Sequence, residues 1–81
     1  EFSYSYLFIE TERYQQNAVQ SSLEKDDAVV FCSPASGGCD LVALIKGETF
    51  DHIDRTINNQ IRQLDGVLRL KQDRVIFLDR M

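Results

Sequence analysis

The clearest pattern in the chain is an apolar series: Phe50, Ile53, Ile57, Ile61 and Leu64. Its steps of 3, 4, 4 and 3 keep all five side chains on one face of a helix. Asp51, Asp54, Arg55, Asn58, Asn59, Arg62 and Gln63 cover the other faces. Thr49 stands ahead of the series as an N-cap, and Gly66 stands behind it where a left-handed stop is needed. Burying the five is worth about 10 kcal/mol gross, at about 2 each, as an upper bound. A thinner stripe of Tyr14, Ala18, Val19 and Leu23 predicts a first helix over Tyr14 to Lys25. Thr11 is its expected cap and Asp26-Asp27 its end.

Strand patterns fill the rest. In Tyr4 to Glu10, Tyr4, Tyr6 and Phe8 point to one face, and Leu7 and Ile9 to the other. Ala28 to Cys32 and Cys39 to Lys46 are short apolar runs. The loop Ser33-Pro34-Ala35-Ser36-Gly37-Gly38 between them predicts an antiparallel hairpin. Val67 to Leu70 and Arg74 to Leu78 make the last strand region, with a bulge or bend expected at Lys71-Gln72-Asp73.

The element order β-α-β-β-α-β implies a ferredoxin-like α+β fold as a single domain over residues 1–81. Right-handed crossovers place both helices on one face of a four-stranded antiparallel sheet. The reverse face is then bare, yet the strands are apolar on both sides, where a half-wet sheet alternates with polar residues. A second copy is expected to cover it, giving a dimeric, barrel-like α/β assembly. Tyr4, Tyr6, Phe8, Leu41 and Ala43 are assigned to that interface. The plain alternative is that large aromatics are tolerated at the surface.

Composition narrows the function. The net charge is −4, from 9 basic and 13 acidic side chains, which argues against a nucleic-acid surface or an anionic membrane. No apolar run is long enough to span a bilayer, and no signal peptide is visible. The two cysteines, Cys32 and Cys39, fit a reducing cytoplasm better than a disulfide framework. They flank the loop, so a redox pair is one reading and two small buried thiols the other. His52 is a lone histidine without a nucleophile beside it. No metal, cofactor or catalytic set is expected. The loop with Asp40 behind it is the best candidate site. Adjacent glycines let backbone N–H groups approach a ligand, and Asp40 offers a carboxylate to an ammonium group. That combination suits a zwitterion such as an amino acid. The alternative is a hairpin loop with Gly where positive φ is needed.

The stretch Ser36-Gly37-Gly38-Cys39-Asp40-Leu41-Val42-Ala43-Leu44-Ile45 resembles the small-Gly-x-x-Asp-apolar signature of the Lrp/AsnC effector domain, also called the RAM domain. Tyr6-Leu7-Phe8-Ile9-Glu10-Thr11 looks like the family's first strand running into "E-T". Gln63-Leu64-Asp65-Gly66-Val67 looks like its second helix ending in "-Pro-Gly-Val", with Asp65 in place of the Pro. The resemblance covers nearly the whole chain. It implies sheet-mediated dimers that often assemble further into rings, with small effectors, typically amino acids, bound near the hairpin loop at contacts between dimers. Carried over, the ligand set is Ser36, Gly37, Gly38, Cys39 and Asp40, with Leu70 and Gln72 where the family alternates Thr-x-Thr.

The helix-turn-helix of full-length regulators is not seen in this sequence. Either the chain is a stand-alone effector module, with a full-length regulator as one candidate partner, or the regulator half is not included; in both cases the expectation is an amino-acid-sensing and oligomerisation module, cytoplasmic and without direct contact to DNA. One alternative is a chaperone-like module of the same fold that binds a peptide or protein along the sheet. A small ferredoxin-like monooxygenase is the least favoured, since the chain has no Trp and no convergent His and Asn set.

Overall fold

The computed structural model describes residues 1–77. The chain runs β1 (Ser3–Thr11), α1 (Gln16–Glu24), β2 (Val29–Pro34), β3 (Leu41–Gly47), α2 (Phe50–Thr56), a π-helical turn (Ile57–Ile61) and β4 (Val67–Val75). The sheet order is β2-β3-β1-β4, with every neighbouring pair antiparallel. This is the ferredoxin-like arrangement that the pattern implied. Leu78, placed by the sequence in the last strand, lies outside the described residues.

One sheet face carries both helices. Val19 and Leu23 from α1, and Ile53, Ile57 and Ile61 from α2 and the π turn, bury against Leu7, Ile9, Cys32, Leu41, Ala43 and Ile45. Phe50, Leu64 and Leu70 pack at the margin. The π turn explains how a 4-4 spacing stays in phase. A four-residue step over-rotates an α-helix by about 40°. The wider turn from Ile57 to Ile61 takes that rotation back, so all three Ile side chains stay inward.

The two helix starts differ. The Thr49 hydroxyl accepts the His52 amide at 3.1 Å and caps α2 as expected. Thr11, by contrast, stays in β1, and α1 begins only at Gln16, behind an N-cap residue, Gln15, that makes no side-chain cap bond. Tyr14 is not a stripe residue. It sits at φ 68° and is 86% exposed, because the chain must turn sharply between the sheet and α1. Ala18 is exposed as well, and the buried stripe is Val19 and Leu23. Gly66 has φ +95°, and a Cβ there would stand 2.9 Å from Gln15 Cβ and 3.0 Å from Val19 Cγ2. The turn needs both the left-handed backbone and the missing side chain.

Strand phase corrects two residues. Leu41 pairs with Ile9 and Ala43 with Leu7, so both face the helices with no exposure. They are core, not part of the bare face. The bare positions of β3 are Val42 and Leu44. The expected bulge also moves. It falls nearer the start of β4 (Val67–Val75): Glu10 pairs with Arg69 and Thr11 with Val67, so Leu68 is the extra residue.

Candidate functional site

Strand alternation decides what stands on the bare face. Tyr4, Tyr6 and Phe8 of β1 lie there, beside Phe31 of β2 and Val42 and Leu44 of β3. Tyr6 lies 6.4 Å from Phe8 and 6.5 Å from Phe31 between ring centroids, and Tyr4 stands edge-on to Phe77 at 6.3 Å. These distances suit aromatic pairs. Tyr6 is 38% exposed, Phe31 40% and Phe77 73%. The patch is contiguous and apolar.

The hairpin loop closes one end of this face. Gly37 adopts φ +96°, which favours glycine, and a Cβ on either Gly37 or Gly38 would meet nothing within 4 Å. Space above the loop is therefore open. The Ala35 amide donates to the Asp40 carbonyl at 2.9 Å and shuts the loop. The amides of Ser36, Gly37, Gly38 and Cys39 find no backbone acceptor among the described residues. Successive N–H groups of this kind attract anions.

Asp40 is tied into the fold. Its Oδ2 accepts the Thr11 amide at 2.8 Å and the Thr11 hydroxyl at 3.3 Å. Its own amide donates to the Ile9 carbonyl at 2.9 Å, and its carbonyl accepts from Gln16 Nε2 at 2.8 Å. Backbone and carboxylate together brace the loop to the end of β1 and the start of α1. Oδ2 is the oxygen that Thr11 engages, and the side chain borders a hollow with Thr11, Tyr14 and Gln16.

An open cleft of about 470 Å³ lies beside the loop on the bare face. Phe8 and Val42 form its floor, Gly38 and Cys39 its loop rim, and Lys71 and Asp73 of β4 its far wall. Leu70 and Gln72 are not on this wall. Leu70 pairs with Ile9, packs on the core and borders a smaller neighbouring hollow. Gln72 pairs with Leu7 on the helix side, where its Nε2 donates to Ser5 Oγ at 3.1 Å and Asp54 Oδ1 at 2.9 Å. Arg74 Nη2 reaches Asp54 Oδ2 at 3.3 Å and its guanidinium lies 4.6 Å from the Phe50 ring centre. This network satisfies Ser5, which is wholly buried. Leu70 and Gln72 came from the resemblance, and nothing local marks Lys71 and Asp73, since β4 alternates too weakly to set its own phase.

The cysteines are both free and belong to different environments. Cys32 is buried under α1, and burial, with Glu24 adding to it, pushes its thiol from 9.0 up to about 11. Cys39 is half-buried at the cleft rim. Low thiolate content makes Cys32 a poor nucleophile. Among the described residues, no three His, Cys, Asp or Glu side chains converge as a metal site. No helix among them is long and apolar enough to cross a membrane.

Comparison with known proteins places this geometry. The profile of the Lrp/AsnC ligand binding domain matches residues 5–76. No curated protein matches the chain significantly. Three solved structures share the fold. FFRP-DM1 is 18% identical, with 91% of this chain and 99% of that one aligned at a TM-score of 0.88. Escherichia coli AsnC is 15% identical, with 98% and 54% aligned at 0.87. A transcriptional regulator from Neisseria meningitidis, solved as its L-Met complex, is 11% identical, with 98% and 53% aligned at 0.84. The chain thus spans nearly all of the first and about half of the two regulators.

Proposed function

The chain belongs to the Lrp/AsnC ligand-binding domain family, and from that premise we propose that it senses an amino-acid effector and self-associates in the service of transcription regulation. One observation carries the reading. Loop residues whose amides have no backbone acceptor border a cleft with an apolar floor, at the end of a contiguous aromatic face. The cleft supplies anion-binding donors and a place for a side chain. The aromatic face supplies the contact between copies. Burying it removes the largest exposed rings of the sheet from water, and a two-fold axis makes the patch its own partner. The regulator from Neisseria with bound L-Met gives the effector class its precedent in the same fold.

At the β2 edge a peptide-binding role has less to work with. The β2 edge is interrupted by an irregularity between Val29 and Phe31 and ends in Pro34, and both features blunt strand addition. The reading is tested by titration calorimetry with the twenty L-amino acids, together with native mass before and after addition. Saturable binding by one or a few amino acids to a dimer or larger assembly is expected. A monomer that binds none of them at millimolar concentration overturns it.

A further inference from the structure

We propose that the free edge of β4 pairs antiparallel with β4 of a second copy about a two-fold axis at Gln72, joining two four-stranded sheets side by side into one. The contact is separate from the bare face and needs no effector. β4 stands at one end of the sheet order β2-β3-β1-β4, and its residues Val67–Val75 include no Gly or Pro. Hydrogen bonding along β1 shows which β4 groups look outward. The Ile9 carbonyl accepts from the Asp40 amide, and the Thr11 amide donates to the Asp40 carboxylate, so both residues turn their backbone groups toward β3. The Glu12 amide donates to the Gly66 carbonyl, on the β4 side. Backbone groups alternate sides along a strand, so Tyr6 and Phe8 serve β4 and meet Asp73 and Lys71. The N–H and C=O groups of Leu70, Gln72 and Arg74 then point away from the sheet. Among the described residues, no backbone hydrogen bond outside the ladders engages them.

Free edges are normally blunted, and β2 is, by Pro34 and its irregularity. In β4 the extra residue, Leu68, lies near the start, and pairing with β1 is regular from Arg69 to Val75. Its guard is charge: Arg69, Lys71 and Asp73 on the bare-face side. A two-fold pairing sets these charges against one another, and the register decides the sign. Centred on Leu70, Arg69 opposes the partner's Lys71. Centred on Lys71 or Asp73, that residue opposes its own kind. Centred on Arg74, neither meets an opposite charge. Centred on Gln72, Lys71 opposes the partner's Asp73 and Asp73 opposes the partner's Lys71. Among the described residues Lys71 and Asp73 enter no ion pair, whereas Arg69 and Arg74 are paired with Glu10 and Asp54. The same register sets the outward groups of Leu70 against the partner's Arg74, and Gln72 against the partner's Gln72, so each such pair exchanges both backbone hydrogen bonds. Lys71 and the partner's Asp73 then occupy a non-hydrogen-bonded position, with Cα atoms about 4.5 Å apart, where side chains stand closest. Opposite charges so placed favour pairing, and like charges oppose it. At both ends Leu68, 60% exposed, comes beside the partner's Ile76, and Ile76 is itself 72% exposed. A contact one strand wide belongs to the weak class, with a dissociation constant of about 0.1–1 mM.

The test is amide hydrogen exchange by NMR on the full chain, from about 50 µM to about 2 mM, a range that brackets this affinity. The amides of Leu70, Gln72 and Arg74 are expected to slow about tenfold across it, while those of Lys71 and Asp73, already bonded to β1, stay unchanged. Lys71→Asp alone sets Asp against the partner's Asp73, and Asp73→Lys alone sets Lys against the partner's Lys71. Each is expected to abolish the slowing. An equal mixture of the two single variants puts opposite charges back at both positions, and so does the double exchange Lys71→Asp with Asp73→Lys. Both are expected to recover it. Phe31 stands on the bare face at β2, the far end of the sheet from β4. Phe31→Glu is therefore expected to weaken the face contact and leave the slowing intact. If the three amides exchange at one rate at every concentration, the edge takes no second copy and the inference fails. If the slowing survives both single variants, or neither the mixture nor the double exchange recovers it, the Gln72 register fails. If Phe31→Glu removes the slowing, the protection belongs to the face contact, and the inference is overturned.

Discussion

Three glycine-to-alanine substitutions separate backbone strain from steric contact in this fold. At Gly66 an added Cβ meets both penalties: φ is +95°, and Gln15 Cβ and Val19 Cγ2 stand at 2.9 and 3.0 Å. At Gly37 only the first applies, since φ is +96° and nothing lies within 4 Å. At Gly38 neither applies. Strain at positive φ costs about 1 kcal/mol, up to about 3. Pressing α1 off the sheet is an overpacking term of about 1–3 kcal/mol. Gly66→Ala is therefore expected to cost about 2–4 kcal/mol, Gly37→Ala about 1, and Gly38→Ala about 0, or a slight gain from a stiffer unfolded chain. A domain of this length has about 4–12 kcal/mol in total, so the first change is severe. Urea unfolding followed by far-ultraviolet circular dichroism, at one fixed protein concentration, reads all three. If Gly66→Ala costs no more than Gly37→Ala, the close approach of α1 to this turn is refuted. If Gly37→Ala is neutral, the strain argument is refuted.

Gln72→Leu removes the donor to Ser5 Oγ and Asp54 Oδ1 and is expected to cost about 1–3 kcal/mol in the same urea assay, because Ser5 is wholly buried. Cys32 makes stability fall at high pH. Its thiol is raised in the fold from 9.0 to about 11, so its contribution is complete below 9 and is lost as pH climbs to about 11. Relative to Cys32→Ala, wild type should lose about 2 kcal/mol across that window, measured by urea midpoints at stepped pH. Tyr6→Glu places a charge amid the aromatic face and is expected to reduce the sedimentation mass to that of one copy with an unchanged circular dichroism spectrum.

Periodicity carried most of the fold. The Phe50 to Leu64 series specified α2 and its inner face because a 3.6-residue repeat needs no partner to be recognised. Thr49 and Gly66 were legible for the same reason, since a cap and a left-handed stop are local chemistry. The element order then followed, and with it the bare sheet face and its aromatics Tyr4, Tyr6 and Phe8. The start of α1 was not legible, because Tyr14 reads as helical by composition while its backbone is turned by the connection from β1.

What the tertiary structure alone decided is phase and partnership. Leu41-Val42-Ala43-Leu44-Ile45 is apolar at every position, so its period of two carries no phase, and only pairing with β1 turned Leu41 and Ala43 inward. In β4 the same pairing put Leu70 and Gln72 beneath the helices and Lys71 and Asp73 on the open cleft. Asp40 found its role through Thr11, 29 residues away, a contact that no local pattern encodes. Residue types along a strand state what a face is made of, but a long-range hydrogen-bond register states which way that face looks.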